Sequence, residues 1–267
     1  MIMKKIVSFI VFVLFLSEVK AQDFALKQLE DSPRHHEWVK VKSGDREVHC
    51  FVVFPEVSTE ATVAIVIHEN RGLTDWVRSF SDQLAEAGYI AVAPDLLSGF
   101  SSEYKKTSDF PSSDDARNAL YELAAEQVQN DLNAVQAFAA KMEAGNGNTV
   151  AIGFCWGGSQ SFRFATYNKQ LDAALVFYGS APESESAIGN IVAPVYGFYG
   201  ENDSRINSGI PATEKMMKEA GKTYDYEIYD GAGHAYMRQG DDPDASGDNK
   251  TARDKSWERI KAILSEI

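Results

Sequence analysis

The sequence predicts an α/β domain built on a mostly parallel sheet with helices on both faces. Apolar stretches of strand length alternate with helical patterns along most of the chain, as in repeated strand–helix–strand units. Several of these stretches are almost continuously apolar, which is typical of strands buried on both faces. The length of 267 residues and the 44% of hydrophobic residues fit a globular protein with a large core.

The chain begins with a segment that has the pattern of an export signal. Within residues 1–21, Lys4 and Lys5 precede the apolar stretch 6–16, and the small residue Ala21 stands just before the expected cleavage point. The apolar stretch is short for a bilayer-spanning helix, and an uncleaved membrane anchor is the alternative. We therefore expect a secreted or periplasmic protein without stable membrane insertion.

Residues 22–43 are weakly patterned, and we expect an N-terminal extension there, followed by the domain in residues 44–267. The extension contains the adjacent pair His35 and His36. Neighbouring imidazoles can bind metal, but an exposed extension is the favoured interpretation. The first predicted strand of the domain covers residues 48–54.

The next three elements follow from local pattern. Residues 61–68 are apolar and rich in β-branched side chains, which predicts a buried strand. Residues 75–87 repeat apolar side chains at helical spacing, and Gly88 stands where such a helix would end. A short buried strand is predicted at 89–93.

The second half of the domain continues the same alternation. Its two most polar segments, 98–113 and 241–250, are predicted to be surface loops. The predicted strands are 149–154, 173–178, 194–199 and 224–229, and the predicted helices are 114–142 (as one or two helices), 156–167, 212–220 and 252–267.

The net charge of -13 argues against nucleic acid as a partner. Phosphate binding needs clustered lysines and arginines, and the chain has no basic stripe. Its two cysteines, Cys50 and Cys155, are too few for a disulfide scaffold and stand in no zinc-binding pattern. We expect both to be free thiols.

The chemistry is expected at the turn Gly153-Phe154-Cys155-Trp156-Gly157-Gly158. This turn follows a predicted buried strand and opens a predicted helix, which is the setting of a nucleophile elbow with cysteine in place of serine. The glycines allow the tight turn, and the helix N-terminus favours a thiolate and offers an N–H group to an oxyanion. Cys155 is therefore the candidate nucleophile.

A cysteine nucleophile requires a base and an acid that orients the base. In α/β-hydrolases these follow the nucleophile in the order acid, then base. His234 is the only histidine after the elbow and follows the last predicted strand. Asp203 follows the strand before it and is the first candidate for the acid, with Glu201 and Asp230 as alternatives.

The sequence resembles the dienelactone hydrolase family over about residues 45–267. The resemblance implies an α/β-hydrolase fold and a Cys-His-Asp triad of Cys155, His234 and Asp203, with no metal or organic cofactor. The matching segments are His68-Glu69-Asn70-Arg71-Gly72-Leu73, Ala93-Pro94-Asp95-Leu96, the Cys155 elbow, Tyr199-Gly200-Glu201-Asn202-Asp203 and Gly233-His234.

The resemblance also gives roles to residues around the triad. It implies that Glu69 contacts the resting thiol and is displaced by substrate, which helps to generate the thiolate. An ion pair between Glu69 and Arg71 is the structural alternative. The backbone N–H groups of Asn70 and Trp156 are the expected oxyanion hole.

Family members that act on anionic lactones bind the substrate carboxylate with two arginines. Arg238 matches one of these positions, and Arg117 is a looser match to the other, with an ordinary surface arginine as its alternative. Arg71 lies beside the site in sequence and is a third candidate.

The sequence therefore predicts a hydrolase of small esters or lactones, with an anionic substrate as one option. Two other functions remain open at this stage. A non-catalytic binding protein could use the same scaffold, because fold does not fix function. A peptidase could use the same nucleophile, base and acid.

Overall fold

The computed structural model describes residues 24–245 and 247–267, so the predicted export signal lies outside the described residues. In this part of the chain, eight strands form one sheet in the order β1-β2-β4-β3-β5-β6-β7-β8. The strands are β1 (His35–Ser43), β2 (Arg46–Phe54), β3 (Ala61–Ile67), β4 (Ile90–Asp95), β5 (Gly145–Phe154), β6 (Ala173–Phe177), β7 (Val195–Gly200) and β8 (Tyr224–Tyr229).

The sheet is parallel from β4 across to β8, and only the pairs β1–β2 and β2–β4 are antiparallel. The helices fill the connections between strands. They are α1 (24–31), α2 (Asp75–Glu86), α3 (Ser113–Glu122), α4 (Ala125–Ala139), α5 (Trp156–Tyr167), α6 (Glu185–Gly189), α7 (Ser204–Asn207), α8 (Ile210–Glu219), α9 (Tyr236–Gln239) and α10 (Asp248–Leu264).

Helices cover both faces of the sheet because the strands present apolar side chains on both. Ala64 and Val66 of β3 pack on the side of α2 and α10, whereas Ile65 packs on the side of α4. Helices α6 and α8 pack beside α5 and, together with it, cover β6 and β7. The predicted fold class is therefore confirmed.

Residues 24–43, the described part of the expected N-terminal extension, pack with the domain. Within this segment, β1 pairs with β2 along its whole length through a turn at Gly44, where φ is +59°. Ala25 and Leu29 of α1 are buried in the core beneath α2. Residues 24–43 thus belong to the packed domain.

A buried carboxylate fixes this N-terminal segment to α2. Asp82 accepts hydrogen bonds from Ser32 Oγ at 2.6 Å, from Arg34 Nε at 2.9 Å and from His36 Nε2 at 2.8 Å. The Asp82 side chain has no exposed surface. His36 is therefore a partner of this carboxylate rather than part of a metal-binding histidine pair.

The remaining elements lie close to their predicted positions. The predicted helical stretch 114–142 is two helices, since the chain turns between α3 and α4 at Leu123 and Ala124. Helix α5 has the predicted bounds, and the C-terminal helix begins at Asp248, four residues earlier than expected. The C-terminal ends of β3, β5, β6, β7 and β8 meet at one edge of the sheet, where α/β folds place their sites.

Candidate active site

Cys155 occupies a strained turn between β5 and α5. Its φ of 55° and ψ of -114° lie outside the regions that ordinary residues adopt, as expected of a residue held there for function. A Cβ on Gly153 would lie 2.0 Å from the carbonyl oxygen of Gly157, and one on Gly157 would lie 2.3 Å from that of His68. A side chain at position 153 would overlap the start of α5, and one at position 157 would overlap the end of β3. The turn therefore needs glycine on both sides of the cysteine.

The Cys155 thiol is largely buried, and burial raises its pKa to about 11. The negative charge of Glu69 contributes to this rise in the pKa, whereas the backbone N–H groups of Trp156 and Asn70 and the charge of Arg205 oppose it. The thiol is thus protonated at neutral pH in the resting protein. The N–H groups of the two expected oxyanion-hole residues both act on the sulfur.

His234 and Asp203 form a direct pair behind the elbow. His234 Nδ1 and Asp203 Oδ2 are 2.5 Å apart, and the Asp203 carboxylate is buried. Since Nδ1–H donates to the carboxylate, Nε2 is left to accept a proton. The loops after β7 and β8 are joined by a hydrogen bond from Asn202 N to Ala232 O at 2.9 Å, which brings the two residues together.

Glu201 and Asp230, the alternative candidates for the acid, do not contact the His234 ring. The Glu201 carboxylate accepts a hydrogen bond from the backbone N–H of Gly231 at 2.8 Å, so it supports the turn after β8. Asp230 is exposed. Among the described carboxylates, the one in contact with the His234 ring belongs to Asp203.

Glu69 is buried at the end of β3 and forms an ion pair with Arg238. Arg238 Nε donates to Glu69 Oε2 at 2.9 Å, and the two residues are 169 positions apart in the chain. The ion pair between Glu69 and Arg71 stays a prediction, and Arg71 has an interaction of its own. Arg238 is placed for its bond to Glu69 by α9, which begins directly after Ala235 in the left-handed conformation.

His68 positions the loop that carries Glu69 and Asn70. Its Nδ1 lies 2.8 Å from the carbonyl oxygen of Glu69, and its Nε2 accepts from the backbone N–H of Leu96 at 3.3 Å. Burial lowers the pKa of His68, which keeps the ring neutral. The ring also stacks on Trp156 with the ring centroids 5.6 Å apart, so one buried side chain contacts both Trp156 and the residue before Asn70.

Cys155, His234, Glu69 and Arg238 line one cavity of about 730 Å³. The cavity also contains Tyr178, which follows β6 with a φ of +40° and lies 5.0 Å from the His234 ring. The Tyr178 hydroxyl is buried and has no hydrogen-bond partner among the described residues. The cavity is lined by Glu69, Asn70, Arg71, Leu120, Tyr121, Leu123, Ala125, Val128, Cys155, Trp156, Ser159, Gln160, Arg163, Tyr178, Ser180, Arg205, Ile206, His234, Ala235 and Arg238.

The arginines at the cavity differ in part from those predicted. Arg71 and Arg238 line it as expected, but Arg117 does not, because it pairs with Asp114 on the same helix at 3.4 Å. Two arginines that the sequence analysis did not single out, Arg163 and Arg205, also line the cavity. Neither belongs to a recognisable substrate-binding motif. For Arg163, the available signal was its position eight residues after Cys155 in the predicted helix, about two turns further along.

The described residues contain no group of three or more His, Cys, Asp or Glu side chains suited to hold a metal ion. Cys50 is a free thiol buried in β2, and burial raises its pKa. No helix within residues 24–245 or 247–267 has the length and apolar character needed to cross a membrane.

Comparisons with known proteins agree with this fold. A protein named "Putative carboxymethylenebutenolidase" from Saccharolobus solfataricus is 29% identical over 84% of this chain and 96% of its own. One of the same name from Methylorubrum extorquens is 30% identical over 74% of this chain and 71% of its own. A solved "Putative Dienelactone Hydrolase" from Klebsiella pneumoniae superposes with a TM-score of 0.76 at 22% identity, covering 88% of this chain and 99% of that one.

The family model for the dienelactone hydrolase family matches residues 48–267, which is most of the chain. This match confirms the resemblance inferred from the elbow and the segments around it, and with it the assignment as a hydrolase. The chain belongs to the dienelactone hydrolase family, within the α/β-hydrolase fold.

Proposed function

We propose that the protein hydrolyses small esters or lactones through Cys155, His234 and Asp203. One observation supports this proposal above the others. The thiol and the Asp203-paired His234 ring line the same cavity, and the N–H groups of Asn70 and Trp156 act on the sulfur. A nucleophile, a base and an oxyanion hole at one place are the requirements of acyl transfer.

The reaction would proceed in two steps. In the first, the Cys155 thiol gives its proton to His234 Nε2 and the sulfur attacks the carbonyl carbon, while the N–H groups of Asn70 and Trp156 stabilise the oxyanion. His234 gives a proton to the leaving oxygen as the ester bond breaks, which leaves an acyl group on the sulfur. In the second, water loses a proton to His234 Nε2 and attacks the thioester. The acid is then released and the thiol is restored.

The protonated resting thiol must be activated before attack. Burial and the charge of Glu69 both disfavour the thiolate, so the thiolate would form when the surroundings of Glu69 change. An incoming carboxylate or polarised carbonyl that competes for Arg238 would release Glu69 from its ion pair. With that negative charge moved away from the sulfur, the thiol proton can pass to His234 Nε2; the family resemblance implies that this displacement of Glu69 helps to generate the thiolate.

The proposal is tested by turnover with purified protein. The names of the curated relatives point to a dienelactone as the first substrate, and a neutral lactone and an activated aryl ester complete the set. We expect Cys155→Ala and His234→Ala each to abolish turnover, whereas Cys50→Ala, which changes the other thiol, retains it. Full activity in the first two variants would refute the mechanism.

Absence of turnover by the wild-type protein on all three substrates would contradict the proposed function. Peptide hydrolysis without ester hydrolysis would instead indicate a peptidase. Binding of the lactone without conversion would indicate a non-catalytic binding protein.

A further inference from the structure

The loop after β3 that carries Asn70 is fixed at its end by a residue from another part of the chain. Within the loop, the backbone N–H of Gly72 donates to the carbonyl oxygen of Glu69 at 3.4 Å, which closes a turn around Asn70. At the end of the loop, the backbone N–H of Leu73 donates to Thr107 Oγ1 at 3.0 Å. The direction of the Asn70 N–H group therefore depends on what holds this turn in place.

Thr107 is itself held by a buried carboxylate at the end of β4. Asp95 is only 2% exposed. Its Oδ2 accepts from the backbone N–H of Thr107 at 2.7 Å, and its Oδ1 accepts from the Thr107 hydroxyl, also at 2.7 Å. A third bond, from Leu97 N to Oδ1 at 3.1 Å, fixes the carboxylate to its own loop. The position of Thr107 is thus set from the sheet.

The Thr107 hydroxyl can serve both neighbours because it has one proton and two lone pairs. Since Asp95 Oδ1 accepts, the hydroxyl donates to it and turns a lone pair towards the N–H group of Leu73. Linked hydrogen bonds polarise one another, so a hydroxyl that donates to a carboxylate is also a better acceptor. Thr107 therefore connects the end of β4 to the loop after β3 through two directional bonds.

The Asn70 turn and Thr107 also meet without free space between them. Gly72 is buried and left-handed, with a φ of +79°. A Cβ on Gly72 would lie 2.2 Å from Thr107 Oγ1. A group larger than a hydroxyl at this place would push the turn away from β4.

We propose that Thr107, held by Asp95, positions the Asn70 N–H group as a donor of the oxyanion hole. Thr107 acts through Asn70 and is not a catalytic residue, since none of residues 98–113 lines the Cys155 cavity. The inference rests on the proposed ester hydrolysis. Donors of an oxyanion hole must be in place before the charge develops, so a small displacement of one of them lowers the rate of the chemical step.

Substitutions that keep or remove the Thr107 hydroxyl test this role. Thr107→Val puts a methyl group in place of the hydroxyl and leaves the N–H bond to Asp95, whereas Thr107→Ser keeps the hydroxyl. Thr62→Val is the matched control. Thr62 is a buried threonine at the other end of β3, and its hydroxyl accepts from Asn146 Nδ2 at 3.1 Å. For each protein, kcat and KM are measured with para-nitrophenyl acetate.

We expect Thr107→Val to lower kcat by about tenfold or more with KM within about twofold of the wild-type value, because formation and hydrolysis of the acyl-enzyme both pass through an oxyanion. Thr107→Ser should recover most of this loss, and Thr62→Val should behave as the wild-type protein. An unchanged kcat in Thr107→Val would overturn the inference. So would an equal loss in Thr107→Ser or in Thr62→Val, or a loss in Thr107→Val that appears in KM alone.

Reversible addition of an aldehyde examines the oxyanion hole without turnover. The Cys155 sulfur bonds to the carbonyl carbon of phenylacetaldehyde, the C=O double bond becomes a single bond, and the thiol proton ends on the oxygen at the oxyanion position. Its affinity is measured as protection of Cys155 from iodoacetamide, with the alkylated residue identified by mass mapping. We expect about tenfold weaker protection in Thr107→Val and nearly wild-type protection in Thr107→Ser.

The two measurements separate the positioning role from the proposed function. If the wild-type protein hydrolyses no ester, the proposed function fails and the aldehyde decides the role of Thr107. Equal protection in the wild-type protein and Thr107→Val would overturn that role, and so would absence of protection in the wild-type protein. Urea denaturation shows whether each variant is folded. Thr107→Ala, which removes the hydroxyl without crowding Gly72, replaces Thr107→Val in both measurements if that variant does not fold.

Discussion

Arg238 Nε donates to Glu69 Oε2 at 2.9 Å. The carboxylate whose charge acts on the Cys155 thiol is therefore held by an arginine from a distant part of the chain. This ion pair holds the Glu69 carboxylate near a buried thiol. The charge adds to the effect of burial and keeps the pKa of Cys155 at about 11. The resting site therefore holds the Cys155 thiol in its protonated form.

Glu69→Gln should make the Cys155 thiol more reactive. Removal of the negative charge lowers the thiol pKa, although burial still holds it above the value of an exposed cysteine. We expect alkylation by iodoacetamide at neutral pH to be several-fold faster than in the wild-type protein. Glu69→Asp keeps the charge and should stay near the wild-type rate. Mass mapping separates Cys155 from Cys50, and an unchanged rate in Glu69→Gln would contradict this account.

Asp203→Asn should lower kcat by about two to four orders of magnitude, because the amide no longer stabilises the protonated ring or fixes its tautomer. Glu201→Gln is the matched control. Glu201 accepts the Gly231 N–H at 2.8 Å, and a glutamine carbonyl can accept it equally well. Ester hydrolysis by the two variants distinguishes the two candidate acids. A large loss in Glu201→Gln with activity retained in Asp203→Asn would reverse their assignment.

The positions of the parallel strands along the chain could be predicted from local sequence, because buried parallel strands have continuous apolar patterns. The elbow could be predicted because its glycines mark a tight turn. Strand β1 was missed for a physical reason. It lies at the sheet edge, and Lys40 and Lys42 alternate with Val39 and Val41, so it is only half apolar. The turn at Gly44 was the signal that could have identified it.

Candidate site residues that directly follow a strand could be predicted from the sequence. Contacts between residues from distant segments could not. Cys155, Asp203 and His234 each follow a recognisable strand, so their order in the chain placed them at one edge of the sheet. The pairing of Glu69 with Arg238 depends on the packing of α9, which local pattern does not encode. Arg163 and Arg205 reach the cavity through the arrangement of α5 and α7, so tertiary structure was needed to find them.

Gly157→Ala should destabilise the fold by about 3 kcal/mol, because the new methyl group would overlap the carbonyl oxygens of Ile67 and His68 at 2.3 Å. Gly189→Ala is the control, since nothing lies within 4 Å of a Cβ there. We expect that variant to stay within about 1 kcal/mol of the wild-type protein. Urea denaturation measures both, and equal stability of the two variants would contradict the close approach of the elbow to β3.

We propose that the protein is exported and cleaved after Ala21. Cleavage there would leave residues 24–43 intact, and Ala25 and Leu29 pack in the core. The mature protein from a bacterial host with a periplasm should therefore begin at Gln22 and be found outside the cytoplasm. Mass spectrometry of the purified protein gives the N-terminus. A full-length mass in the membrane fraction would instead indicate an anchor.

Asp82→Asn should weaken the fold and reduce its sensitivity to acid. Burial raises the pKa of Asp82, but hydrogen bonds from Arg34, Ser32 and His36 outweigh it and hold the pKa below its ordinary value. A carboxyl whose pKa is lower in the folded state stabilises the fold above its unfolded pKa. That contribution is lost as pH falls through the folded value. The wild-type protein should therefore lose stability below about pH 4, and Asp82→Asn should show a flatter dependence there.

At neutral pH we expect Asp82→Asn to cost about 3 kcal/mol, because Arg34, whose side chain is 11% exposed, loses its charged partner. Asp75→Asn, in the same helix, removes a more exposed partner of Arg78 and should cost less than about 1 kcal/mol. Urea denaturation at neutral and acid pH compares these two variants with the wild-type protein. Equal losses in both, or the same acid dependence in Asp82→Asn as in the wild-type protein, would show that Asp82 does not anchor the N-terminal segment. The comparison therefore measures how firmly residues 32–36 are held to α2 by this carboxylate.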